Sequence, residues 1–147
     1  MAKKKTPAPK ASSKKMDPVV HFEMASEDSK RMSKFYSKAF GWETKELGEE
    51  NGNYTLVTTS DSDKKGGPKK KGMINGGFYS KSNDKPDQYP SVVIAVDSIK
   101  RSMKKVENAG GKVLGEPMKI PGFGTYVSFH DTEGNRVAMM EPSEEWK

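Results

Sequence analysis

The sequence contains no cysteine and only two histidines, His21 and His130. The first absence excludes disulfides, thiolate nucleophiles and cysteine-ligated zinc, and the second leaves few imidazoles for any metal site. No apolar run approaches the length of a bilayer-crossing helix, so a membrane span is not expected. The lysine-bearing start, MAKKKTPAPKASSKKMDP, has no apolar stretch behind it and does not read as a secretory signal. A reducing, cytoplasmic setting is the expectation. Hydrophobic residues make up 32% of the 147, and the 14 glycines bring the apolar share to about 41%. That is below the usual share but enough for one core.

Charge is unevenly placed. The net +6 is concentrated in Met1–Pro18, where Lys3, Lys4, Lys5, Lys10, Lys14 and Lys15 face Asp17 alone. The remainder is nearly neutral, with 20 basic and 19 acidic residues. Residues 1–18, rich in Lys, Ala, Pro and Ser, read as a disordered basic tail. Such a tail can hold polyanions weakly by counterion release, although no aromatic residue interleaves its lysines. A second basic cluster, Lys64, Lys65, Lys69, Lys70 and Lys71 around Gly66-Gly67-Pro68, reads as an exposed loop.

Beyond the tail, a pattern appears twice. Val19–Met24 reads as a half-buried strand. Ser26-Glu27-Asp28 then opens a helix with acid in its first turn, and Met32, Phe35, Tyr36 and Phe40 form its apolar stripe before Gly41. Trp42–Leu47 and Tyr54–Thr59 read as a hairpin, and Gly72–Tyr79 as a fourth strand. Gly76-Gly77 in that strand allows a close approach to the backbone. After a polar linker, Ser80–Pro90, the order returns: strand Ser91–Asp97, a helix opened by Ser98 with Ile99, Met103 and Val106 on one face, and three more strands. These are Lys112–Ile120, broken by Gly115 and Pro117, then Gly124–Phe129, then Asn135–Glu141 after the Asp131-Thr132-Glu133-Gly134 turn. The expected class is α+β: two βαβββ modules, 19–79 and 91–141, followed by a short extension, 142–147. Each module has one helix on one side of a small sheet, so two sheets facing each other should enclose a concave, barrel-like cleft.

The stretches VVHFEMASEDSKRMSKFYSKAFGWE, SVVIAVDSIKRSMKKVENAGGKVLGEP and GTYVSFHDTEGNRVAMMEP resemble the vicinal oxygen chelate superfamily, which includes glyoxalase I, bleomycin-resistance proteins and extradiol dioxygenases. With the strands between them they cover Val19 to about Glu141. The helix end FY…FGW and the D-x-x-G-N turn carry the likeness in combination. The resemblance implies paired modules around a cleft, often completed as a homodimer. In metal-dependent relatives the ligands lie on the first and last strands of each module. Here those positions fall at His21, at Asn75 or Gly76, at Ser91 and at Ala138. Only one imidazole remains among them, so no metal and no other cofactor is expected.

Strand parity puts His21 with Glu23, Ser91 with Val93 and Ala95, and Arg136 with Ala138 and Met140 on shared faces, and the resemblance implies that these are the cleft-facing sets. Asn75 and Phe78 complete the expected ligand-binding list, with Phe78 and Tyr79 able to form either a stacking wall or core. Gly122-Phe123-Gly124 resembles a mobile loop in relatives, or is a plain hairpin connection. Glu23 is the candidate catalytic residue, a general base if burial raises its pKa.

Three functions are open. The first is a glyoxalase- or bleomycin-resistance-like protein that binds a small organic molecule without metal. Bleomycin itself is a poor match, because it is cationic and this domain is nearly neutral. The second is a metal-dependent lyase, isomerase or dioxygenase with a rebuilt site of His21 and Glu23, His130 swinging in as a third ligand. The third is a nucleic-acid-associated protein acting through its tail.

Overall fold

The computed structural model describes residues 15–144. The basic-tail reading falls largely on residues 1–14, outside the described residues, as do 145–147 of the C-terminal extension. The strands are β1 (Val19–Ser26), β2 (Glu43–Glu46), β3 (Thr55–Thr58), β4 (Asn75–Ser80), β5 (Ser91–Ala95), β6 (Lys112–Ile120), β7 (Gly124–His130) and β8 (Arg136–Pro142). Two helices, α1 (Ser29–Phe40) and α2 (Ile99–Asn108), follow β1 and β5. Two βαβββ modules are therefore present.

Their sheets do not stand as two separate walls. All eight strands form one sheet, in the order β2-β3-β4-β1-β5-β8-β7-β6. Within each module the first strand runs parallel to the last, β1 with β4 and β5 with β8. The modules join where β1 and β5 pair antiparallel, Phe22 opposite Val92 and Glu23 opposite Ser91. The two first strands thus meet at the centre.

Both helices pack on one face. Tyr36 of α1 stacks on Trp42, with centroids 4.7 Å apart, and reaches Phe78 at 5.7 Å. Under α2, Val96, Ile99, Val127 and Met139 form a buried cluster, flanked by Ile94, Met103, Val106, Val113 and Phe129. The apolar stripe expected along α1 is only half used. Phe35 and Phe40 stay 59% and 64% exposed, because the sheet beneath α1 meets Tyr36 and leaves the flanking rings outside.

Three local expectations change. Helix α1 begins after the acidic residues: Ser26 ends β1, and extended Asp28 is the cap, accepting from Arg31 N at 3.0 Å. Strand β6 is not broken at Gly115 and Pro117 but bulged there, its pairing with β7 shifting between Leu114 and Met118 with Gly115 at φ +75°. Pro142 belongs to the sheet, opposite Gly124, so the domain runs one residue further than 141. Gly122-Phe123-Gly124 is a tight β6–β7 hairpin, closed by Phe123 N–H donating to Ile120 O at 3.0 Å. Among the described residues no helix is long and apolar enough to cross a membrane.

Candidate active site around Glu23

Register fixes what shares the face opposite the helices. His21 lies between Asn75 on β4 and Val93 on β5, and Val93 lies opposite Ala138, which lies opposite Ser128. Glu23 lies between Gly77 and Ser91. Ala95, Met140 and Tyr126 form the row beyond His21, on the side away from Glu23, and Arg136 lies opposite His130, in line with Ser91 and Glu23. Directly paired residues point to the same side of a sheet. His21, Glu23, Asn75, Ser91, Val93, Arg136, Ala138 and Met140 therefore share the helix-free face. Phe78 does not. It is three residues from Asn75, points the other way and is buried under Tyr36 as core. Tyr79, one residue on, takes the cleft side.

Glu23 is the centre of this face, 8% exposed. Its Oε2 accepts the Tyr54 hydroxyl at 3.1 Å and its Oε1 accepts the Tyr126 hydroxyl at 2.6 Å. The two tyrosines come from different modules. Strand β7 is three steps from β1, about 14 Å in a flat sheet. Tyr126 meets Glu23 because the sheet curls, which makes the face a cleft. Tyr54 reaches Glu23 from the opposite side by crossing Gly77. A Cβ at Gly77 would lie 1.9 Å from the Tyr54 hydroxyl, so only glycine leaves the passage open. Gly76 serves the other face, where a Cβ would strike the Phe22 ring at 2.5 Å.

The chain of hydrogen bonds continues. His21 Nε2 lies 2.9 Å from the Tyr54 hydroxyl. Tyr54 has one proton, and with Glu23 ionised that proton goes to the carboxylate. His21 must then donate from Nε2. With Glu23 protonated, its O–H can serve Tyr54, and the Tyr54 proton can turn to His21. The two patterns share the same heavy atoms and differ by one proton: passing from the first to the second moves a proton from His21 Nε2 through Tyr54 to Glu23, while His21 takes one from water at Nδ1.

Electrostatics support this picture. Burial raises the Glu23 pKa above the usual carboxylate value, while the hydrogen bonds from Tyr126 and Tyr54 and the charge of Arg136 act in the opposite direction. Burial, then the Glu23 charge, holds the hydroxyl protons of Tyr54 and Tyr126 well above the ordinary tyrosine range. Tyr79 is raised for the same two reasons. Burial lowers the His21 pKa from 6.5 to about 4, so the ring is neutral near pH 7. Its stabilising contribution is present above pH 6.5 and is lost as the pH falls through about 4, where the folded ring finally takes a proton. The loss is on the order of 2 kcal/mol after allowance for the ring's partial exposure. Urea midpoints of wild type and His21→Gln, measured from pH 7.5 to 4, should converge by this amount; parallel curves would contradict a neutral, buried His21.

The positions that hold metal in related proteins offer a poor donor set. His21 faces Tyr54. The Asn75 amide is spent on the β3–β4 connection, its Oδ1 accepting from Thr59 N at 2.9 Å and its Nδ2 donating to Ser62 Oγ at 2.8 Å and Gly66 O at 3.1 Å. Gly76 lies on the helix side, Ser91 supplies a hydroxyl and Ala138 a methyl group. Both oxygens of Glu23 already accept tyrosine protons. This set does not fit a divalent ion, and among the described residues no three His, Asp or Glu side chains converge. His130 lies at the other end of the cleft, its Nε2 2.7 Å from Asp87 Oδ2, and is not brought to His21.

Sequence reasoning missed Tyr54, Tyr126 and Asp87. Tyr126 was open to detection, since it alternates with Ser128 on a readable strand. Gly77 announced a close approach without naming what approaches. Asp87 sat in a segment that reads as linker.

The family model that matches the chain is the Glyoxalase/Bleomycin resistance protein/Dioxygenase superfamily, over residues 19–139. A glyoxylase-like domain-containing protein of Didymella fabae is 32% identical over 118 residues, covering 80% of this chain and 88% of that one. Solved structures with a similar fold include methylmalonyl-CoA epimerase from Mycobacterium tuberculosis, with a TM-score of 0.60 at 14% identity over 87% of this chain and 89% of that one. A Streptomyces coelicolor methylmalonyl-CoA epimerase in complex with 2-nitronate-propionyl-CoA has a TM-score of 0.63 at 15% identity, covering 88% of this chain and 99% of that one. At such identities the likeness extends to the fold.

Proposed function

Because the chain belongs to the glyoxalase/bleomycin resistance protein/dioxygenase superfamily, whose fold presents a cleft, we propose that it binds a small organic molecule on the helix-free face, without a catalytic metal. The observation that carries this reading is Glu23: a buried carboxylate at the junction of the two modules, gripped by a tyrosine from each. A buried charge-bearing group needs partners, and a cleft with a few convergent polar groups among small apolar ones suits an organic ligand. Partly exposed Ala95 and Met140 supply the apolar floor, backed by buried Val93 and Ala138, and Glu23, Tyr54 and Tyr126 supply the polar anchor.

A second reading, an enzyme, is favoured by the direction of the Glu23 shift. A carboxylate whose pKa moves toward neutrality suits general acid–base work, and the two tyrosine hydroxyls can stabilise the charge it leaves. Proton transfer at carbon, as in an isomerase, is the class of step such a group performs. In that reading Glu23 takes the proton and the Tyr54–His21 chain redistributes it.

Two histidines give two imidazole signals, so the cleft can be followed directly by NMR. A library of small organic fragments, screened in the presence of EDTA, should contain compounds that shift the His21 signal saturably. Fragments that shift it only after a divalent cation is supplied would overturn the metal-free reading.

A further inference from the structure

The segment between the modules does more than connect them. Residues 81–90 leave β4 and return to β5, and Asp87 from this segment reaches the end of the cleft. Its Oδ2 lies 2.7 Å from His130 Nε2 and its Oδ1 lies 3.5 Å from Arg136 Nη1. His130 and Arg136 are direct cross-strand partners on β7 and β8, so their side chains leave the sheet together on the cleft face. The three side chains keep between 27% and 33% of their surface in water, which makes the cluster reachable from solvent. Asp87 is ionised, its carboxyl held below the usual range first by the His130 hydrogen bond. His130 must then donate from Nε2, and the pair His130 and Arg136 presents two donors to one carboxylate.

Arg136 also faces inward. Its charge acts on Glu23 and on Tyr79, so the donor pair and the Glu23 centre belong to one cleft. The segment that delivers Asp87 is closed mainly on itself: Ser82 N–H donates to Gln88 Oε1 at 2.7 Å, Lys85 N–H to Ser82 O at 3.4 Å and Tyr89 N–H to Asp87 O at 3.1 Å. Its backbone is tied to the sheet at its start, where Lys81 N–H donates to Ser26 O at 2.9 Å. Asp87 is therefore a carboxylate set on a self-contained loop and placed on two donors at the rim of a binding face.

From this arrangement we infer that His130 and Arg136 form a carboxylate-binding subsite, that Asp87 fills it as an internal stand-in, and that the ligand of the cleft is an organic acid whose carboxylate displaces Asp87. The inference rests on the reading of the cleft as a small-molecule site and adds the chemical class of the molecule. A ligand carboxylate on Arg136 and His130 directs the remainder of the molecule along Ser91 toward Glu23, Tyr54 and Tyr126. Asp87 competes for the same donors, so the apparent affinity of the free protein is reduced by the fraction of time the stand-in is bound.

Succinate, with succinamide as its uncharged analogue, is the probe, and the His130 and His21 imidazole signals of the full-length chain are the readout. Succinate should shift the His130 signal saturably and succinamide should not. Asp87→Asn should bind succinate about tenfold more tightly than wild type. Arg136→Gln should lose the response, and Arg136→Lys should recover part of it. Should Asp87→Asn fold poorly, Asp87→Ser carries the same expectation. Succinate affinity that is equal in wild type and the Asp87 variants, or a wild-type His130 signal that ignores succinate, overturns the subsite. If fragments still shift His21 in that case, the cleft reading stands without its carboxylate assignment. If neither signal answers any compound, both fail.

Discussion

Gly77→Ala is expected to destabilise the protein by about 2–3 kcal/mol and to disconnect Tyr54 from Glu23. The added methyl would sit 1.9 Å from the Tyr54 hydroxyl, far inside contact distance, and the tyrosine is the group that must move. Its displacement removes one of the two hydrogen bonds to Glu23 and the bond to His21. Two changes then follow together. Urea unfolding should shift to lower denaturant, and the His21 ring, opened to water once the phenol that covers it has moved, should titrate closer to 6.5. A Gly77→Ala protein with wild-type stability and an unmoved His21 titration would show that the glycine passage does not hold the site together.

Glu23→Gln is expected to separate stability from function. The folded-state pKa of Glu23 lies above its unfolded value, so its contribution to stability is fully present below about pH 4.5 and is lost as the pH rises through the folded value. Glutamine does not ionise and avoids that loss. It can also be accommodated: its carbonyl accepts from Tyr126, its amide donates to Tyr54, and the Tyr54 proton turns to His21. The variant should therefore be no less stable than wild type at pH 5 and more stable at pH 8. Ligand binding should move the other way, weakening by roughly 10- to 100-fold, the loss that goes with a hydrogen bond to a charged group. Denaturant unfolding at the two pH values and fragment titration on the same preparations supply both readings. A variant destabilised at pH 8 would contradict the assignment of Glu23 as a buried acid whose ionisation costs stability.

Much of this arrangement is legible in the sequence because it follows from alternation. His21 with Glu23, Ser91 with Val93 and Arg136 with Ala138 share a face for the reason that any strand residues two apart do, and the doubled βαβββ order sets which strands meet. The same rule separates Phe78 from Asn75, three residues apart, and decides between the two readings its aromatic ring left open, stacking wall or core, in favour of core. Tyr126 escaped for a different reason. Its partner is 103 residues away and three strands distant, and the contact exists only because the sheet curls, a property of the assembled fold that local pattern does not carry. Asp87 lies in a polar, proline-bearing stretch whose composition signals a connection and is silent about what the connection touches. The single continuous sheet was hidden likewise, because the antiparallel seam between β1 and β5 leaves no mark on either strand alone.

The most direct test is elemental analysis combined with native mass spectrometry of protein purified without chelator, before and after exposure to the succinate and fragment ligands. A metal-independent cleft predicts no stoichiometric divalent ion and an organic adduct that survives EDTA and is weaker in Glu23→Gln. One tightly held divalent ion per chain, lost on His21→Ala together with ligand binding, would contradict it.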